Sequence, residues 1–482
     1  MNYEELNLKI GIEVHQQLLG KKLFCQCIAD MKEEKKEWEI NRKLRAAAGE
    51  TGEVDIAAQY EEARDREFIY YSYKYEYCLV DCDESPPQNL NQDALTTALQ
   101  VAKLLKLNIP DNLCVMRKTI TDGSVVSGFQ RSILVGYATE ESYIETSKGN
   151  VRIKDLYLEE DACKIIKKEG NKTYYSLSRQ GIPLIEIGTE PDIKGPEHCK
   201  EVASHIGMIL RSTGKTKKGI GSIRQDLNLS IKGGARVEMK GFQDIRIMPR
   251  VIENEINRQF DLIKQGKKII PEVRGVNEDG TTTFLRPMPS AARLYVETDI
   301  PETLITKQLL YQIEIPELIT DKLIKLEKEF NLPIDLAREL IKSNVNFKNY
   351  ADIYPNIEPK FIANVLIEVP KEIKARYNLE PKFREEDFHF VLRPLNETRI
   401  AKEAVMELLL EIAQNKKPNI EKYMSKPDYN LEKDIERIIR ENQGASINAL
   451  MGEVMKKYRG KIEGSSVRKI LEEKIPKQGK QK

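Results

Sequence analysis

Residues 8–18 read Leu8-Lys-Ile-Gly-Ile-Glu-Val-His-Gln-Gln-Leu18. Ile10, Ile12 and Val14 fall on one parity, and Lys9, Gly11, Glu13 and His15 on the other. A period of two predicts a β-strand with one buried face. Glu13 and His15 then stand side by side on the opposite face, with Gln17 beyond. Gly11 leaves room for something to approach closely. Such a pair could bind an ion or a phosphate. It could equally be the wet outer face of an ordinary antiparallel strand.

Outward from this strand, 482 residues are too many for one ordinary domain. Lys and Arg (77) nearly cancel Asp and Glu (76), so whole-chain charge points to no particular partner. Distribution is more informative. Residues 451–482 carry ten Lys/Arg against four Asp/Glu, a basic tail suited to a phosphate backbone or to a solubilising end. The expected protein is soluble and cytoplasmic, with no leader segment and no apolar run of membrane-spanning length.

The seven cysteines lie within residues 25–199 and do not suggest a disulfide framework. Cys25 and Cys27, with Cys78 and Cys82, could hold a tetrahedral zinc or be small buried thiols. A Tyr-rich alternating stretch, Phe68 to Val80, predicts a strand pair. Residues 91–107 predict a core-packing helix capped by Asn91. Between Arg117 and Arg131, Ser124, Ser127, Gln130 and two glycines suggest an anion-binding turn.

Three acids, Glu159, Glu160 and Asp161, follow an apolar strand, and Glu186 stands alone inside another. A lone carboxylate in an apolar strand needs either a structural Arg or a cation shared with other acids. Glu160 shares the parity of Leu156 and Leu158, which is odd for a solvated acid. Ser212-Thr-Gly-Lys-Thr216 looks like the end of a P-loop, but Ile209 stands where glycine is needed and Gly214 follows a helix rather than opening one. Residues 223–231 and 237–240 predict a hairpin turned at Gly233-Gly234. Its polar parity gathers Arg224, Asp226, Asn228, Glu238 and Lys240, too varied for a plain solvated face. From residue 303 onward the pattern is helical and punctuated by proline.

Five ordered motifs carry a resemblance: Gly11-Ile-Glu-Val-His-Gln-Gln17, Leu158-Glu-Glu-Asp-Ala162, Arg179-Gln-Gly-Ile-Pro-Leu-Ile-Glu-Ile187, Ile223-Arg-Gln-Asp-Leu-Asn228 and Val237-Glu-Met-Lys240. Together they resemble the B/E family of tRNA-dependent amidotransferase subunits. Cys25-Gln-Cys27, Gly52-Glu-Val-Asp55, Ser127-Gly-Phe-Gln-Arg131 and Arg286 to Arg293 lean toward the archaeal E-type branch of that family. The B-type branch, which works in a trimeric complex, is the alternative, and a non-catalytic tRNA-binding scaffold a further one. E-type members usually carry an inserted domain before the Asp-Gly-Thr-Thr stretch, and here only a short link precedes Asp279.

The resemblance implies that ATP phosphorylates the side chain of glutamate misacylated on tRNA(Gln), and that ammonia from an asparaginase-like partner of the D type then displaces phosphate. It implies Mg²⁺ on His15, Glu160 and Glu186, with Glu13 adjacent. Lys240, Arg224, Asp226, Asn228 and Glu238 join Glu13 as expected catalytic residues, and Ser124, Ser127, Gln130 and Arg131 as the ATP-phosphate site. The expected fold is α+β: an antiparallel-sheet cradle over 1–302, a helical domain over 303–425 and a small helical tail domain over 426–482 that contacts tRNA.

Overall fold

The computed structural model describes residues 2–48, 52–289, 294–343, 345–424, 431–442, 444–458 and 464–474. Arg293, the Ser465 side chain and the basic residues after Lys474 lie outside the described residues. The chain is α+β, sheet-rich first and helical after, and divides into two compact units, Met1–Ile319 and Thr320–Lys482.

The strand Lys9–Gln17 forms as its alternation predicts and lies inside a large sheet. It pairs antiparallel with Pro183–Thr189 on one side and Ile223–Ser230 on the other. Beyond Pro183–Thr189 come Val151–Glu160, Phe129–Tyr137, Val115–Thr119 and Leu294–Val296. Beyond Ile223–Ser230 come Val237–Phe242, Glu272–Val276 and Thr282–Pro287. Each pairing along this path is antiparallel except Val237–Phe242 with Glu272–Val276.

The two edge strands, Thr282–Pro287 and Leu294–Val296, are separated in sequence only by residues 288–293. A flat sheet of this order would be ~43 Å wide at ~4.8 Å per strand spacing. The link can span at most ~25 Å. The sheet therefore curls; its polar face, opposite the apolar face, is the cradle side below.

Helices Gln92–Leu104, Pro196–Ser212 and Met248–Lys264 cover the apolar face, where Ile10, Ile12, Val14, Leu156, Leu158, Ile185, Ile187, Leu227 and Met239 form one core. Asn91 caps the first helix by accepting from the Asp93 and Ala94 amides. The first unit runs past residue 302, because Ile305 and Ile313 complete this core and Thr303–Leu304 pairs with Asn112–Leu113. The second unit holds two separate helical cores, one from Leu332 to Tyr423 and one from Ile435 to Leu471.

The expected strand pair over Phe68–Val80 is half right. Glu67–Tyr73 is a strand in a second, four-stranded sheet, but the chain then turns. Tyr75 and Asp83 take positive φ, and the Asp81 carboxylate accepts the Cys78 amide at 3.2 Å. Local capping of the backbone by Asp81 outcompetes strand propensity.

Gly123 has φ +86°, and a Cβ there would stand 2.1 Å from the Phe68 ring. Gly123→Ala is expected to destabilise the first unit by about 2–3 kcal/mol, since both backbone and ring must shift. Chemical denaturation against the parent chain checks this; an unchanged midpoint would show that the Asp122–Gly128 turn does not depend on the contact.

Candidate active site

Strand register builds the site as rows. Tyr157, Glu186, His15 and Arg224 are successive partners across four strands. Asp155, Gly188, Glu13 and Asp226 form the next row, and Gly11, Asn228 and Glu238 the third. Partners in an antiparallel pair share a face, so all these groups meet on the cradle side.

His15 Nε2 lies 3.0 Å from Glu186 Oε2. The donor atoms of Glu13, His15 and Glu186 all lie within 4.8 Å of one another, and so do the carboxylates of Glu13, Asp226 and Glu238. Glu13 belongs to both groups. Two carboxylates with an imidazole, and three carboxylates beside them, are donor sets that could hold divalent cations. Lys240 donates to Asp226 at 2.7 Å and also pairs with Glu238. Asn228 Nδ2 donates to Glu13 at 3.1 Å and is itself held by Arg236 Nε at 2.9 Å. Arg224 is pinned on Asp161 at 2.8 Å, and Asp161 also accepts from Gln17 at 2.6 Å.

Burial pushes the Glu13 carboxyl up to about 7, Glu186 adds to the rise and Lys240 opposes it. Burial alone would lower His15, but the Glu186 carboxylate outweighs it and carries the imidazole to about 9. Burial also disfavours charge on Lys240, yet Asp226, Glu238 and Glu13 hold its ammonium above the usual range. Glu186 ends well below the carboxylate range: against its burial stand Lys118 and His15.

The structure separates Glu160 from His15 and Glu186. Its parity is that of Leu158, so it points through the sheet, where its carboxylate accepts from the Arg131 amide at 3.3 Å and faces the guanidinium at 3.4 Å. The acid on the cradle side is Glu159. It accepts from Lys118 at 2.9 Å, Ser132 at 2.6 Å and Gln130 at 2.9 Å, and interacts with Glu186. The expected phosphate turn is also otherwise engaged. Arg131 is buried between Glu160 and Glu297, Gln130 donates to Glu159 and the Glu160 carbonyl, Ser124 bonds Asp122, and Ser127 donates to the Phe129 carbonyl. These four side chains do not form an open anion cradle.

The sulfurs of Cys25, Cys27 and Cys78 gather with the carboxylate of Asp81, all within 4.8 Å. Cys82 is not among them; it packs with Phe68 and Tyr70 in a small apolar core. The turn that follows Cys78 aims Asp81 inward instead. Buried Lys22 donates to Asp81 and to the Leu177 carbonyl, each at 3.0 Å. Burial raises the Asp81 carboxyl to about 6 against the pull of Lys22. Hydrogen bonds from Cys25 and Cys27 lower the Cys78 thiol, making it the first of the three to ionise.

The sequence suggests no site role for Asp81 or Lys22, counts Lys118 only as a flanking cation of the expected anion-binding turn, and counts Glu159 only as a member of the acid triplet. Parity was the available signal for Glu159, since Asp155, Tyr157 and Glu159 alternate with Leu156 and Leu158.

The sequence model described as the GatB/GatE catalytic domain matches residues 8–311, and one described as a GatB domain matches residues 346–475. The chain belongs to the GatB/GatE family. Curated relatives named as the E subunit of glutamyl-tRNA(Gln) amidotransferase include that of Methanocaldococcus jannaschii, 33% identical over 631 aligned positions covering 98% of this chain and 99% of the relative. That of Archaeoglobus fulgidus is 34% identical over 618 positions covering 99% and 98%, and that of Saccharolobus solfataricus 31% over 635 positions covering 98% and 99%. These spans far exceed 482 residues, so such GatB/GatE relatives carry a long stretch with no counterpart here. Between the helix Met248–Lys264 and Asp279 this chain has only a short link and the strand Glu272–Val276.

The two raised groups predict one pH trend. Glu13 favours its protonated form in the fold, a contribution present below its unfolded value and lost as pH rises through about 7. His15 favours its charged form, a contribution present below pH 6.5 and lost as pH rises through about 9. In chelator, the melting temperature of the first unit should therefore fall from pH 6 to pH 9.5. Glu13→Gln should flatten the lower part of that fall and His15→Gln the upper part. Parallel curves for parent and variants would show that neither group carries the trend.

Proposed function

We propose that this chain is the ATP-dependent subunit of a tRNA-dependent amidotransferase. It phosphorylates the side-chain carboxylate of glutamate carried on tRNA(Gln). Ammonia from an asparaginase-like partner then displaces phosphate to give the glutaminyl ester. The observation that carries this reading is the pair of donor groups sharing Glu13 on one sheet face, with Lys240 beside them. The names of the relatives support the substrate.

Glu13, His15 and Glu186 would hold one Mg²⁺, and Glu13, Asp226 and Glu238 a second. A bound divalent cation supplies charge neutralisation at the transferring phosphate. The chain's own groups do the rest. Glu186 orients His15, and the proton on that imidazole must leave before the ring can act as a ligand. Asn228, fixed by Arg236, orients the Glu13 carboxylate. Lys240, kept charged by its acids, offers an ammonium to the phosphoryl oxygens. Arg224 is held by Asp161 beside His15, so its charge is already matched and it acts by position. Such an enzyme works in the cytoplasm; among the described residues no helix is long and apolar enough to cross a membrane. The basic tail domain is read as a tRNA contact through phosphates.

Lys240→Ala should slow phosphorylation of glutamyl-tRNA(Gln) by about 10²–10³-fold, with tRNA affinity little changed. ADP release stimulated by glutamyl-tRNA, measured on the full chain with its partner, reads this. Normal turnover removes Lys240 from the site, and an absence of any stimulation in the parent overturns the kinase reading.

Cys25, Cys27, Cys78 and Asp81 are read as a structural zinc site, since three thiolates and a carboxylate at this spacing suit a closed tetrahedral centre. Elemental analysis should find about one zinc per chain, and Cys78→Ser should lose it along with several degrees of melting temperature. Metal-free parent protein that zinc does not stabilise would exclude the site.

A further inference from the structure

The reaction proposed above needs positive charge along a whole triphosphate, and Lys240 accounts for one end of it. The turn expected to supply the rest is engaged elsewhere through Ser124, Ser127, Gln130 and Arg131. On the cradle side His15, Lys118, Lys154, Arg224 and Lys240 each sit on a carboxylate. Arg236 does not. It stands just before the strand Val237–Phe242 and keeps the parity of Glu238 and Lys240. Its Nε donates to Asn228 Oδ1 at 2.9 Å, and Asn228 in turn donates to Glu13 at 3.1 Å. Among the described residues no carboxylate pairs with Arg236, and its two terminal nitrogens carry no hydrogen bond.

Beside Glu13 the cradle opens into a cavity of about 290 Å³ whose wall includes Gly11, Asn228, Ser230 and Arg236. Gly11, the partner of Asn228 across the strands, gives this part of it a floor of bare backbone where a ligand can lie close. Lys240 reaches Asp226 at 2.7 Å, and Arg236 reaches Asn228. Asp226 and Asn228 are two residues apart on one strand, so the two cationic heads stand ~6.8 Å apart along it. That is close to the span of a triphosphate from its last phosphorus to its first. The acids of the opposite wall do not reach this line. Glu190 and Asp155 lie at least three strand spacings from Arg236 along the sheet, ~14 Å, and Lys154 already pairs with Asp155. The nearer acids, Glu13, Asp226 and Glu238, are the proposed Mg²⁺ ligands, so their charge meets a phosphate through the cation rather than bare.

We propose that Arg236 binds the phosphates of ATP that are not transferred, while Lys240 attends the one that is. The inference rests on the reading of this chain as the ATP-dependent subunit. A guanidinium held at Nε keeps its terminal donors free, a fork that fits phosphate oxygens and that a lysine matches only in charge. Asn228 fixes the direction of that fork and ties it to Glu13, so one run of hydrogen bonds aligns the phosphate chain with the point of transfer. ADP keeps the phosphates in question, so its binding reports the contact without any chemistry. The tRNA backbone is the other source of phosphate, and substrate kinetics separates the two.

The test uses the full chain with its partner. Calorimetry in magnesium should show ADP bound about tenfold more weakly by Arg236→Gln than by the parent, with Arg236→Lys recovering part of the loss. In turnover with glutamyl-tRNA, Arg236→Gln should raise the KM for ATP about tenfold and leave the KM for the tRNA within about twofold. An unchanged ADP affinity in Arg236→Gln overturns the assignment and leaves the kinase reading standing. A rise confined to the KM for tRNA gives Arg236 to the tRNA backbone and overturns it too. So does an equal rise in both KM values that Arg236→Lys does not relieve, which marks a distorted cradle rather than a phosphate contact. If the parent binds no ADP, the kinase reading itself fails and the assignment falls with it.

Discussion

Glu13 stands where two acidic groups meet, and the rest of the site is arranged around the cost of that crowding. Glu186 repels it from one side, and Asp226 and Glu238 from the other. At ordinary dielectric values for a partly buried site, each such pair a few ångströms apart costs a few kcal/mol. The chain answers with fixed cations rather than with solvent. His15 and Lys118 sit on Glu186, and Lys240 sits between Asp226 and Glu238. Removing Lys240 leaves two buried carboxylates without their shared cation, which is more damaging than never having placed the pair. The core beneath supports this charge layer. Ile10, Ile12 and Val14 lock the central strand in register against three covering helices, and a one-residue slip would bury Glu13 and His15.

Period-two alternation made the central strand legible, and the same reading extends to the hairpin of Arg224, Asp226, Asn228, Glu238 and Lys240. It works because each of these strands has one face in a continuous core. It failed at Glu160 because a motif outweighed parity: the triplet Glu159-Glu160-Asp161 offers three acids, and alternation alone assigns the first to the cradle. It failed again at Cys82, where the backbone turns around Asp81 and spacing along the sequence no longer reports distance in space. The lone Glu186 was readable for the opposite reason. An apolar strand has nowhere to hide a carboxylate, so its presence announces partners.

The Ser124–Arg131 turn shows what a count of residue types leaves out. Three cations, a glutamine and two hydroxyls in a glycine-rich loop suit a phosphate only if their donors are free. Here Arg131 joins Glu160 and Glu297, and Lys118 joins Glu159 and Glu186. Those acids lie on other strands or far along the chain, so nothing near the loop reveals that its charge is already spent. Strand pairing brings them together, and long-range pairing is what local pattern does not carry.

That spent charge bears on how the cradle could meet a phosphoryl group at all. On the cradle side Glu13, Asp155, Glu159, Asp161, Glu186, Asp226 and Glu238 outnumber His15, Lys118, Lys154, Arg224, Arg236 and Lys240; Arg236 is held by Asn228, and each of the other cations already has an acid. A phosphate approaching such a surface would be repelled. A surface of this sign is suited to phosphate only when its acids also hold metal cations, because the acids then contribute ligands and the cations contribute the net positive charge. The acidity that would disqualify a simple phosphate site is thus the property that recommends a metal-dependent one.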